Sequence, residues 1–369
     1  MRIFARRVLP YIAALVAVVT SPCLAHPDRA ISFAATSVAG TQIKYLLVRL
    51  DRVRIETVLG QDRVDRTESL AGMARRHHAL AAIDGGYFES YFPGPIKDLI
   101  ESTVVNGTLV FKGDVGSTLF FDAENHARIE DIPLRIEGSL DGSFHYPDGW
   151  YADWLNRLPE GRAPNVTIFT PEWGRATGLK GLQAQVTNGV ITRVSRRSLP
   201  IPLDGYVVYM PHAPVMALQF RVGRQIAYRI VRANGMGLGF FADAREAIGG
   251  GPTLITNGRI TLNPRAEGFH DAALFKIVRR SVIGITRDGR RLILATAVGT
   301  LHQMARAMRA IGAYQAMNLD GGESSGLWAW GHYLTKPARL LNNALLILPL
   351  HRPQPRLVIA SDRKHASPR

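Results

Sequence analysis

The chain has 369 residues, 46% of them hydrophobic, a formal net charge of +15 and a single cysteine, Cys23. It can bury a sizeable core, and its length allows either two domains or one large β-rich domain. With Cys23 placed in a segment expected to be removed, a disulfide framework, a thiol nucleophile and a thiolate metal site are excluded from the mature chain. The basic balance suits an anionic partner, and a solvated Arg-rich surface is the plainer reading. Expected export, and the lack of a basic run interleaved with stacking aromatics, argue against nucleic acid.

The N-terminus reads as a signal peptide over residues 1–25. Arg2, Arg6 and Arg7 form a positive region, Tyr11 to Val19 an apolar stretch too short for a comfortable membrane span, and Ala25 a small residue at the cut. The expected location is periplasmic or secreted, with no integral membrane segment in the mature chain. Gln42 to Leu50 and Val53 to Leu59 alternate like strands, Glu68 to Leu80 has helical spacing, and Ala79 to Ile83 re-enters a sheet. Asn106-Gly107, Asn188-Gly189, Asn257-Gly258 and Asp288-Gly289 mark hairpins, because these dipeptides supply the positive φ angles of primed turns. Tyr146 to Pro171, with Trp150, Trp154 and the nearby Trp173, is either a sugar-stacking loop or an insertion whose tryptophans cover core. Thr300 to Gly312 is the clearest helix, with Leu301, Met304, Ala305, Met308 and Ile311 on one stripe. His77-His78, adjacent on a helix, read as solvated. The expected fold class is α+β: mostly antiparallel or mixed β-sheet with a few packed helices, in one catalytic domain over 26–350. Residues 122–245 form an elaboration of it, and 351–369 a basic disordered tail.

Three glycine-rich polar stretches interrupt this pattern: Ile83 to Phe88, Ile248 to Leu254, and Asn318 to Trp328. The third carries Asp320, Glu323 and Ser324 around Gly321 and Gly322. Such a stretch is either a turn with a capping Asp or a site where ligand meets bare peptide. The order and spacing of Ala82 to Phe88, Gly249 to Leu254, Arg280 to Gly284, Asn318 to Gly322 and Asn342 to Leu345 resemble the phosphodiester glycosidase family. That family includes the uncovering enzyme, an N-acetylglucosamine-1-phosphodiester α-N-acetylglucosaminidase, and bacterial relatives described as exopolysaccharide biosynthesis proteins. The family usually has Asn where this chain has Asp84 and a small residue where it has Glu323.

The resemblance implies cleavage between an anomeric carbon and a phosphodiester oxygen, on a phosphorylated or anionic glycan. A phosphate leaving group needs little acid help, but it needs positive charge and a carboxylate near the sugar. Arg280 is the candidate phosphate clamp, with a strand-surface arginine as its other reading. Asp320 is the candidate base or nucleophile and Asp84 a second carboxylate. Substrate-binding candidates are Gly85 and Gly86 as an amide nest, Asn318, Gly250, Gly251, Gly321, Gly322, Glu323 and Ser324. Asp84, Asp320 and Glu323 are hard ligands suited to Ca or Mg, but the expectation is that no metal and no cofactor is required. Two other functions stay open: a non-catalytic binder of anionic polysaccharide, and a metal-dependent phosphodiesterase.

Overall fold

A computed structural model describes residues 29–91, 93–159 and 165–350. The expected signal peptide and basic tail lie outside them. Strands dominate: twenty-five against three α-helices among the described residues. The fold is therefore β-rich, and the helical part of the expected α+β class is small.

Two antiparallel sheets enclose the central core. In spatial order, the seven-stranded sheet contains Ile31–Val38, Thr41–Arg49, Arg291–Gly299, Val278–Thr286, Ala313–Gly321, Thr253–Thr256 and Arg259–Ile260. The five-stranded sheet contains His332–Thr335, Leu327–Ala329, Ala81–Asp84, Asn343–Pro349 and Val53–Leu59. Leu46, Val48, Ile283 and Leu294 point from the first sheet into this core, where they meet Ile83, Leu345 and Ile347 from the second. The outer faces are covered too. Ile43, Val282 and Ile293 pack against helix Leu301–Ala310, while Ala82, Ala344 and Leu346 pack near helix Leu70–Arg76. Burial of both faces explains the continuous apolar runs Leu292 to Ala295 and Ala344 to Leu348 within these antiparallel strands.

Helix Leu301–Ala310 begins with a capping box, Thr300 and Gln303 serving each other's backbone, and buries Leu301, Met304, Ala305 and Met308. Helix Leu70–Arg76 is shorter than its sequence spacing suggested. His77 ends it, and its Nδ1 lies 2.7 Å from Glu56 Oε1, half-buried rather than solvated. Three of the four hairpin dipeptides have both residues at positive φ; at Asp288-Gly289 only the glycine does. There the Asp288 carboxylate instead accepts from the Thr286 hydroxyl and the Arg290 N–H.

A third sheet, Thr108–Phe111, Thr103–Val105, Glu246–Gly250, Ser117–Phe121 and Ala127–Glu130, contributes Leu119, Phe121 and Ile248 to the central core. Between residues 134 and 232, a three-stranded and a five-stranded sheet share a separate core around Ile136, Trp150, Ile168, Val208 and Ile226. Trp150 and Trp173 are buried, which removes them as sugar-stacking surfaces. Trp154 lies under the Arg157 guanidinium, 4.0 Å from its ring centre.

Candidate active site

The glycine-rich stretches lie where strands of the three main sheets end together. Strand Ala81–Asp84 runs into Gly85-Gly86-Tyr87, strand Glu246–Gly250 into Gly251, and strand Ala313–Gly321 into Gly322. Their backbones are joined directly. The Asp320 N–H donates to Gly85 O at 3.0 Å, and the Gly251 N–H to Asn318 O at 2.6 Å. Only glycine permits this approach at two positions. A Cβ on Gly85 would lie 1.7 Å from Asn343 Oδ1, and one on Gly86 would lie 2.5 Å from Gly249 O.

A cavity of about 590 Å³ opens above this junction, and Tyr87, Glu101, Arg280, Asp320 and Arg339 are on its wall. Gly321, Gly322 and Glu323 line it as well, while Phe88, Val115, Phe269, Leu274 and Val278 make an apolar side. The structure thus brings Arg280 and Asp320 together, because Arg280 pairs with Gly321 across neighbouring strands. Asp84 is different. It is fully buried beneath the cavity, not on its wall, with Oδ1 accepting the Gly326 N–H at 2.8 Å. Gly85, Gly86, Asn318, Gly250, Gly251 and Ser324 do not line it either. Asn318 is buried, and its amide donates to the Tyr87 hydroxyl at 2.7 Å and to Gly251 O at 3.2 Å.

Arg280 is 2% exposed, so the surface-strand reading fails. Its Nε donates to Gly299 O at 3.3 Å, and its Nη2 to Leu274 O at 2.6 Å and Lys276 O at 2.8 Å. These partners are neutral carbonyls; they fix the guanidinium without cancelling its charge. Burial pulls its pKa down from the usual arginine value.

Sequence reasoning missed Glu101. It is an isolated glutamate ahead of strand Thr103–Val105, and its only sequence signal is apolar residues close on both sides. It is 2% exposed. Its Oε2 accepts the Tyr87 N–H at 2.9 Å, and Oε1 is buried with no partner among the described residues. Burial, then the nearby Asp320 charge, pushes its pKa well above the ordinary carboxylate range. Asp84 is pushed the same way, first by burial; the Ser281 hydroxyl and the Gly326 N–H oppose this, and the Asp320 charge adds to it. Asp320 is half-buried and raised to about 6 by desolvation, held back by the Ser324 hydroxyl, the Gly321 N–H and the Arg339 charge. Three carboxyls thus share one region, and their environments separate their titrations.

Glu323 stands exposed at the rim, paired with Arg339, which also donates to Ser90 Oγ and, at 2.8 Å, to the Tyr91 hydroxyl. Asp84, Asp320 and Glu323 do not form a close ligand set. Among the described residues, the group that could hold a metal is Asp122, Glu124 and His126, none of which lines the cavity.

No curated protein matches the chain significantly. Among solved structures, a hypothetical protein from Synechocystis is 21% identical, with a TM-score of 0.75, covering 86% of this chain and 62% of that one. The chain thus spans less than two thirds of that protein's length. A Burkholderia pseudomallei protein described as exported is 21% identical, with a TM-score of 0.68, covering 84% of this chain and 74% of that one. At these identities the likeness is one of fold. The catalytic domain of zebrafish N-acetylglucosamine-1-phosphodiester α-N-acetylglucosaminidase is 13% identical, with a TM-score of 0.48, covering 86% of this chain and 82% of that one. The likeness carried by the motifs also appears at the family level: residues 180–348, which hold Arg280, Asn318 and Asp320, match the phosphodiester glycosidase family.

Proposed function

We propose that the chain is an exported hydrolase that releases a sugar from a sugar-1-phosphodiester, in a surface glycan, an exopolysaccharide or a lipid-linked sugar. Residues 26–350 act as the catalytic unit, with 122–245 an elaboration of it. The observation that carries this reading is the single cavity walled by Arg280, Glu101 and Asp320. The bond broken joins the anomeric carbon to a phosphate oxygen, and the phosphate leaves as a monoester with the bonding electron pair. Arg280 faces that phosphate with a charge its carbonyl partners leave available. Asp320 supplies the carboxylate for the oxocarbenium-like centre or for the attacking water. Glu101, held neutral by burial, offers a proton to the departing oxygen. Asp84 positions the Asp320 turn from beneath.

The test is to incubate the purified protein with a panel of sugar-1-phosphodiesters in ¹⁸O-labelled water. The proposal expects free sugar carrying the label and unlabelled phosphomonoester, with release lost in Asp320→Asn. Label in the phosphate would mean P–O cleavage by a phosphodiesterase. Saturable binding without release would make the cavity a binding site for anionic glycan.

A further inference from the structure

The mouth of the cavity is built in a way that the chemistry of a soluble glycan does not require. Leu274 and Val278 line the cavity, while between them Phe275 is 49% and Ile277 67% exposed. Leu340, beside the cavity residue Arg339, is 54% exposed. Large apolar side chains seldom stand in water as a group. The segments that carry them are hydrogen-bonded to one another. The Arg279 guanidinium donates to Lys336 O at 3.1 Å, the Gly322 N–H to Arg279 O at 2.8 Å, and the Ala338 N–H to Glu323 O at 2.7 Å. The segment holding Phe275 and Ile277 is thereby tied, through Arg279, to the segment holding Leu340. Cations sit among the apolar groups: Lys276 between Phe275 and Ile277, then Arg279, and Lys336 on the facing segment. Three exposed acids, Glu89, Asp271 and Glu323, also line the cavity; Glu323 is paired with Arg339, and Asp271 accepts the Ala273 N–H at 2.8 Å.

Exposed apolar side chains interleaved with Lys and Arg form the pattern of a surface that rests in the headgroup layer of an anionic bilayer. Apolar groups enter the acyl boundary while the cations meet lipid phosphates. We infer that this rim docks on an anionic lipid bilayer and that the cavity receives its sugar-1-phosphodiester from there, with a lipid as the aglycone. The apolar wall of Phe269, Leu274 and Val278 gives such an aglycone a path from the rim to Arg280. The substrate half of this inference rests on the proposed hydrolase; the docking half does not.

The experiment is co-sedimentation of the full chain with vesicles of phosphatidylglycerol and phosphatidylcholine at equal parts, and with phosphatidylcholine alone. The chain should bind the anionic vesicles, less so as salt rises. The double variant Phe275→Ser/Ile277→Ser should weaken binding about tenfold or more, while Leu203→Ser, an exposed leucine outside this rim, should leave it unchanged. Lys276→Glu should weaken it independently. Hydrolysis of a water-soluble sugar-1-phosphodiester should be the same in the double variant and in Leu203→Ser as in the wild type. No vesicle binding, or equal binding by the double variant, overturns the inference. So does a solution dimer that the double variant dissolves without any vesicle binding. Vesicle binding with no hydrolysis of any phosphodiester would remove the proposed reaction and leave the docking surface standing.

Discussion

Asp84 and Gly326 clamp one another: the Gly326 N–H reaches Asp84 Oδ1 at 2.8 Å, and the Asp84 N–H reaches the Gly326 carbonyl at 3.2 Å. The clamp pins the far end of the turn that starts at Asp320, across two strands distant in sequence. A neutral acceptor suffices for it, because burial already favours the protonated acid at this position. Asp84→Asn should therefore fold and keep most of the activity. Asp84→Ala should lose about 2–4 kcal/mol, since it leaves a buried N–H without an acceptor and opens a small void. Chemical denaturation and turnover of the two variants check this. An Asp84→Asn protein that folds but is as inactive as Asp320→Asn would place the Asp84 carboxylate in the chemistry itself.

The cavity carboxyls predict the shape of the pH profile. Asp320 titrates at about 6, so kcat/KM should rise as pH increases through that value and the carboxylate forms. Glu101 lies well above the ordinary carboxylate range, so it stays protonated after Asp320 has ionised, and activity should fall when it finally loses its proton. Glu101→Gln should remove the falling limb and lower the maximum only about tenfold, because a phosphate leaving group needs little acid help. A falling limb that persists in Glu101→Gln would assign it to another group.

Much of the frame was legible in the sequence, and the reasons differ element by element. Val53–Leu59 and the capped helix Leu301–Ala310 follow from local patterns that tertiary packing then reinforces. Arg280 and Asp320 stand out in separate sequence motifs and line one cavity. Glu101 was invisible because its chemistry comes from burial between sheets, which one glutamate in an irregular segment does not advertise. Asp84 was readable as important, but its depth was not: lying behind the wall is a property of how three strand ends pack. The tryptophans of the middle region misled for the opposite reason, since a residue suited to sugar stacking is equally suited to a core.

Buried carboxyls also predict how stability responds to pH. Glu246 is raised to about 7, and Asp98 and Asp320 to about 6, by desolvation in each case. In the unfolded chain these groups titrate near about 4. As pH falls from about 8 towards 5, the folded protein takes up protons that the unfolded chain does not, so stability rises. The melting temperature should be higher at pH 5.5 than at pH 8, measured by calorimetry at constant ionic strength. Glu246→Gln should shrink that difference. A melting temperature that instead rose steadily from pH 5.5 to 8 would contradict the neutral, buried state assigned to these groups.

Arg280 offers the sharpest separation of binding from folding. Three carbonyls, those of Leu274, Lys276 and Gly299, hold its planar head, and Nη1 passes 3.8 Å from where a Cβ on Gly321 would lie, at the cavity wall. A lysine keeps the charge but cannot serve three carbonyls and a phosphate at once. Arg280→Lys should therefore weaken phosphodiester turnover about 10²-fold in kcat/KM. Inhibition by an added phosphate monoester, the product that should occupy the same charge, should weaken in parallel. Both losses should remain at a temperature where circular dichroism shows Arg280→Lys fully folded. If Arg280→Lys kept full affinity for the phosphate monoester, the positive charge that stabilises the leaving group would have to come from Arg339, which lines the same cavity, and Arg339→Gln would then carry the larger loss.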